Sequence, residues 1–147
     1  LNKANSNLPS MLDYKIHIEK SSMFNTPPVF SIYVSMLNLK WLKNNGGISC
    51  IEKKNLEKAN LLYKTIDKSS LFKGIANTND RSTMNVTFSI NEKSLDNKFN
   101  QMCTDGGING IKGHRSVGGF RASMYNAMSI ESVKVLIEIM KELEKKA

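Results

Sequence analysis

Residues 84–90, Met-Asn-Val-Thr-Phe-Ser-Ile, alternate apolar and polar side chains without a break. Successive side chains of a strand point to opposite faces, so this run reads as the clearest strand of the chain, with its apolar residues on one side. A lone strand leaves its backbone groups unpaired, so the chain must supply neighbours and something to cover one face. Three further segments are the candidate partners. A short strand begins near Leu71 and Phe72, and another is expected over 108–111. From Val117 onward the alternation returns, with Phe120, Ala122 and Met124 on one face and Arg121, Ser123 and Tyr125 on the other.

Helical spacing supplies the cover. Asn25-Thr26-Pro27-Pro28 is a helix-start signal, because Asn or Thr caps free amides and proline suits a first turn. The helix runs to about residue 45 with Phe30, Val34, Leu37 and Trp41 at helical spacing. Gly46-Gly47 stops it. A second helix over 48–66 carries Ile48, Ile51, Asn55, Ala59, Leu62 and Ile66 on one face. Glu52, Lys53, Glu57 and Lys58 form its solvated side. Residues 77–80 read as a turn. Ser94 is expected to cap a helix through 105, ended by Gly106-Gly107. A last helix over 130–145 turns Ile130, Val133, Ile137, Met140 and Leu143 inward.

This order implies an α+β fold, a small sheet with helices on one face. Residues 46–147 read as a self-contained domain, and 1–45 as a segment and helix of a neighbouring one. Residues 1–24 are expected to be irregular, with a short strand at 14–18 and an exposed, unpartnered His17. The opening Leu-Asn-Lys-Ala-Asn reads as the continuation of a longer chain.

With 147 residues, 40% apolar and 23% charged, the composition is that of a folded domain. The net charge of +8 raises nucleic acid as a partner, but the lysines are scattered and no basic run reaches five residues. Cys50 and Cys103 fit no metal spacing and indicate a reducing compartment. The most apolar stretch, 29–42, is interrupted by Ser31, Ser35, Asn38 and Lys40 and does not suit a membrane span. Neither nucleic acid nor membrane is therefore expected as a partner, and the cytoplasm is the expected location.

The chemistry concentrates in residues 110–123, Gly-Ile-Lys-Gly-His-Arg-Ser-Val-Gly-Gly-Phe-Arg-Ala-Ser. Two of the three arginines, Arg115 and Arg121, lie here with His114 and four glycines. Glycine permits close backbone approach to a ligand, and arginine offers a charged fork for carboxylate or phosphate. These residues point to an anion site for a small, multiply charged ligand. The same residues, KGHRSVGGFRAS followed by YNAM, resemble the C-terminal region of the phosphoserine aminotransferase family, class-V pyridoxal-phosphate enzymes. MFNTPPVFSIY…LKWLKNNGG and DRSTMNV.F resemble the same family in the same order, so the likeness covers nearly the whole chain.

That resemblance implies a homodimer exchanging an amino group between glutamate and 3-phosphohydroxypyruvate in serine biosynthesis; some members also serve pyridoxine synthesis. It implies that Arg121 holds the α-carboxylate, and that His114 and Arg115 hold the distal phosphate or the glutamate side chain. Asn25 and Thr26 correspond to a pair that reaches the cofactor phosphate of the neighbouring subunit. Lys112 falls at a substrate-loop lysine. The Schiff-base lysine lies upstream of the matched region in the family, so the chain alone is expected to be catalytically incomplete. The other readings are a non-catalytic module binding phosphate-bearing ligands and a basic nucleic-acid-binding domain.

Overall fold

The computed structural model describes residues 7–147, so the first six residues of the expected irregular segment lie outside it. The chain divides into two compact units, Leu1–Lys43 and Asn44–Ala147.

In the first unit a 3₁₀ turn, Ser10–Leu12, leads into α1, Tyr14–Glu19, and then α2, Val29–Asn44. The strand expected at 14–18 is therefore a helix. Asp13 decides this, because its side chain accepts the Lys15 amide at 2.9 Å, a cap worth about 1 kcal/mol. Among the described residues of this unit no strand is present to reward the alternative. His17 is half-buried rather than unpartnered: its Nε2 donates to the Met11 carbonyl at 3.0 Å and its ring meets Phe24 edge-on. On α2 no residue is buried, and Phe30, Val34, Leu37 and Trp41 are all exposed.

The second unit is α+β. It runs α3 (Gly47–Lys68), β1 (Phe72–Gly74), β2 (Asn85–Ile90), α4 (Asp96–Asp105), β3 (Phe120–Ser123) and α5 (Ile130–Lys146). The sheet is antiparallel in the order β1-β2-β3, with Phe72 opposite Ile90 and Phe88 opposite Phe120. The alternation of β2 is realised as Val86, Phe88 and Ile90 buried and Asn85, Thr87 and Ser89 half-exposed. Phe72, Phe88 and Phe120, one from each strand, meet Phe99 of α4 with ring centroids 4.9–6.1 Å apart. Offset and edge-on ring packing of this kind adds to the burial of the rings themselves. Ala59, Leu62 and Ile66 of α3, with Val133, Leu136, Ile137, Met140 and Leu143 of α5, complete the core.

Several expectations are corrected here. Residues 108–111 are not a strand; the backbone turns left-handed at Gly110, and only an isolated bridge, Lys112 with Phe120, joins β3. The last strand starts at Phe120, since Val117 lies in an exposed turn. Ser94 does not cap α4. It sits in a 3₁₀ turn, Lys93–Leu95, and donates to Glu92 at 2.7 Å. Ile48 is 75% exposed, one turn too early to reach the core, whereas Lys58 is 2% exposed. On α5, Ile130 is half-buried, and Leu136 and Ile139 are buried as well.

Candidate functional site

The glycine-rich stretch forms a closed loop at the edge of the sheet. Residues 111–113 return antiparallel to β3: the Arg121 amide donates to the Ile111 carbonyl at 2.7 Å, and the Gly113 amide to Gly119 at 2.9 Å. The tip is drawn together by the His114 carbonyl, which accepts from the amides of Val117 (3.0 Å) and Gly118 (2.8 Å). Two glycines make this closure possible. At Gly113 a side chain would overlap the Gly118 carbonyl oxygen. Gly119 has φ +64°, and a Cβ there would lie 2.7 Å from the Phe88 carbonyl oxygen of β2. The loop is therefore pressed onto the sheet, and its tip carries His114, Arg115 and Ser116 exposed to solvent.

Arg121 stands just beyond the loop on β3, paired in register with Thr87, on the face opposite the buried Phe120 and Ala122. It borders a cleft of about 230 Å³ between the 107–111 segment and the start of α5, with Asn109, Ser123 and Ser132 among the lining residues. Among the described residues neither Arg115 nor Arg121 forms an ion pair. Arg81 contrasts with both. It makes a fork with Asp67 at 2.6 and 2.7 Å and lies 4.5 Å over the Tyr63 ring. Its hydrogen bond holds the Asp67 carboxyl below the usual range. Among the described residues two of the three arginines are thus in no ion pair, Arg115 within the closed loop and Arg121 just after it.

His114, Arg115 and Arg121 belong to the second unit; Asn25 and Thr26 belong to the first and are exposed. Asn25 does not cap α2. Its amide donates to Met11 Sδ at 3.2 Å, a weak acceptor that it can exchange for a better one. Pro27 and Pro28 have no amide to offer, and the Val29 amide is bonded to the Pro27 carbonyl at 2.8 Å.

Lys112 is exposed. The buried lysine is Lys58, placed on the solvated face by its charge and missed for that reason. Its Nζ donates to the carbonyls of Met124 (3.2 Å), Tyr125 (2.8 Å) and Met128 (3.0 Å). Burial lowers its pKa. A buried lysine with a lowered pKa resembles a nucleophile. Here, however, three carbonyls take the three N–H bonds of an ammonium, and no lone pair is left to attack. Beside it Asn55 donates to Asn126 Oδ1 at 2.9 Å. Together these residues fasten α3 to the turn between β3 and α5. Among the described residues no cluster of three or more His, Cys, Asp or Glu side chains could hold a metal ion, and no helix is long and apolar enough to cross a membrane.

The family model for class-V aminotransferases matches residues 5–136. Phosphoserine aminotransferase of Flavobacterium psychrophilum is 60% identical over 146 residues, 99% of this chain and 41% of that protein. That of Azobacteroides pseudotrichonymphae is 59% identical over 140 residues, 94% of this chain and 39% of the relative. Among solved structures, a phosphoserine aminotransferase studied for radiation damage of its Schiff base superposes with a TM-score of 0.86 at 43% identity, covering 100% of this chain and 41% of that one. The enzyme from Bacillus circulans subsp. alkalophilus gives 0.85 at 38% identity, covering 99% of this chain and 40% of its own. The chain spans about two fifths of the length of these relatives.

Proposed function

The chain belongs to the class-V aminotransferase family, and from that membership we propose that it is the C-terminal part of a phosphoserine aminotransferase, with 1–45 closing the cofactor domain and 46–147 forming the small domain. The observation that supports this reading is the closed 113–119 loop, which carries His114 and Arg115 at its tip and leads into Arg121 on β3, with neither arginine in an ion pair among the described residues. The substrates of such an enzyme are glutamate and 3-phosphohydroxypyruvate, each with an α-carboxylate and a second anion further out. Arg121 holds the α-carboxylate through its guanidinium fork. His114 and Arg115 hold the distal phosphate or the glutamate side chain. Two fixed anion sites orient the reacting carbon, so binding energy goes into positioning.

Pyridoxal phosphate, when bound, supplies the electron sink for amino transfer. Asn25 and Thr26 suit its phosphate as neutral donors, and in a homodimer they would serve the neighbouring subunit. The lysine that anchors the cofactor is not assigned to this chain, because Lys58 is fully engaged and Lys112 falls at a substrate-loop position. The protein would work in the cytoplasm. A free-standing phosphate-binding module and a nucleic-acid-binding domain are not favoured by the relatives.

The test is kinetic, in the complete enzyme. Arg121→Lys should raise KM for both substrates tenfold or more, since charge-assisted hydrogen bonds worth about 1.5–3 kcal/mol are lost. His114→Ala and Arg115→Ala should raise it chiefly for the phosphorylated one. Equal losses for both substrates in all three variants would overturn this division.

A further inference from the structure

Ser116 makes two hydrogen-bond contacts to His114, and the way it does so selects one form of the ring. The Ser116 backbone amide donates to His114 Nδ1 at 3.3 Å, and the Ser116 hydroxyl lies 2.7 Å from the same nitrogen. A backbone N–H can only donate, so Nδ1 must be the unprotonated, accepting nitrogen. In the neutral ring the proton then sits on Nε2, the atom on the far side from Ser116. A fully ionised phosphate oxygen only accepts. The Nε2–H form offers it a hydrogen bond, whereas the other tautomer would present a lone pair to an anion.

We propose that Ser116 is a positioning residue that holds His114 as its Nε2–H tautomer and so prepares the loop for a phosphate-bearing substrate. This rests on the reading of His114 as a phosphate contact. The hydroxyl reinforces what the loop backbone begins. Because 113–119 is closed by its own amide–carbonyl bonds, removal of the hydroxyl should leave the loop in place and free the ring to turn and to exchange tautomers.

The experiment uses the 147-residue chain with ¹⁵N-labelled histidine at about pH 9, above the ordinary imidazole range. Wild type is compared with Ser116→Ala and Ser116→Thr, and inorganic phosphate is the probe. His17, whose Nε2 donates to Met11, is an internal standard for the same tautomer and is identified by His17→Gln. Wild type should show a protonated Nε2 and an accepting Nδ1 at His114. Ser116→Ala should show averaged nitrogen shifts and phosphate binding weakened about three- to tenfold, and Ser116→Thr should restore both. A protonated Nδ1 in wild type, or an unchanged tautomer in Ser116→Ala, would overturn the role of Ser116 and leave the phosphate reading of His114 standing. A tautomer held and lost as described, with phosphate moving neither nitrogen, would overturn that reading and the proposal with it.

Discussion

α2 and α5 are helices of 16 and 17 residues with opposite fates. α5 buries Val133, Leu136, Ile137, Ile139, Met140 and Leu143 and turns its charges outward. α2 carries Val29, Phe30, Ile32, Tyr33, Val34, Met36, Leu37, Leu39 and Trp41, a more apolar set, and buries none of them. The difference lies in distribution. A one-sided stripe matches a partner on one side, here the sheet and α3 and α4. A surface that is apolar nearly all round needs neighbours all round. Apolar content therefore states a demand for burial; the pattern states what kind of partner can meet it.

Removing a side chain on which the second unit converges should produce the largest effect. Phe99 is fully buried and touches the rings of Phe72, Phe88 and Phe120. Phe99→Ala should destabilise this chain by about 3–5 kcal/mol in urea unfolding followed by circular dichroism. A loss below about 1 kcal/mol would mean that the aromatic cluster is not the centre of the unit.

Lys58 should come next. Lys58→Met keeps much of the stem but leaves the carbonyls of Met124, Tyr125 and Met128 without their donor, at a cost of about 1–3 kcal/mol. Faster amide exchange should be confined to the 124–128 turn and the first turn of α5. Uniformly faster exchange across the sheet would place Lys58 in the core proper rather than at a fastening between α3 and that turn.

These two residues also mark what was legible in the sequence. The β2 alternation was legible and put Phe88 on the buried face, but that Phe99 of α4 meets it there emerges only from the fold. The α+β order and the extents of α2, α3 and α5 follow from spacing and breakers, which are local signals. Lys58 was hidden because charge is read as exposure, and the three carbonyls that receive it lie 66–70 residues away. The helix α1 was hidden because a six-residue run fits both periods and one cap, Asp13, decides between them. At the site, Gly113 and Gly119 were visible as glycines, but the carbonyls they approach were not. Ser116 lies two residues from His114, so its contact could have been suspected from spacing alone.

A smaller effect ties α5 to the start of the sheet and depends on pH. Glu144 accepts from Ser69 Oγ and the Ser70 amide at 2.7 Å, from Ser70 Oγ at 2.9 Å and from the Leu71 amide at 3.2 Å. The Ser69 hydrogen bond leads in holding its pKa below the ordinary 4.5. The folded state therefore binds this proton less readily than the unfolded state. The contribution to stability is complete above about pH 4.5 and disappears as pH falls through the folded value. Asp67, held low by Arg81, acts in the same direction. The Glu144 share is isolated by comparing wild type with Glu144→Gln. The gap in urea midpoint should correspond to about 1 kcal/mol at pH 7 and narrow toward pH 3. A gap that does not change with pH would assign the bond set to packing rather than to the carboxylate.

The smallest effect tests the contrast with α2 directly. Phe30 is 78% exposed, so Phe30→Ser should change the unfolding free energy of this chain by no more than about 0.5 kcal/mol. The same class of residue at Phe99 is expected to cost several times as much, because exposure and not residue type sets the value. A loss of 2 kcal/mol or more at Phe30 would break the comparison. It would show that α2 is covered in solution, and dependence of that loss on protein concentration would identify a second copy of the chain as the cover. Independence from concentration would place the cover within the chain itself. With no loss at Phe30 and a large one at Phe99, the demand for burial written along α2 remains one that these 147 residues do not meet.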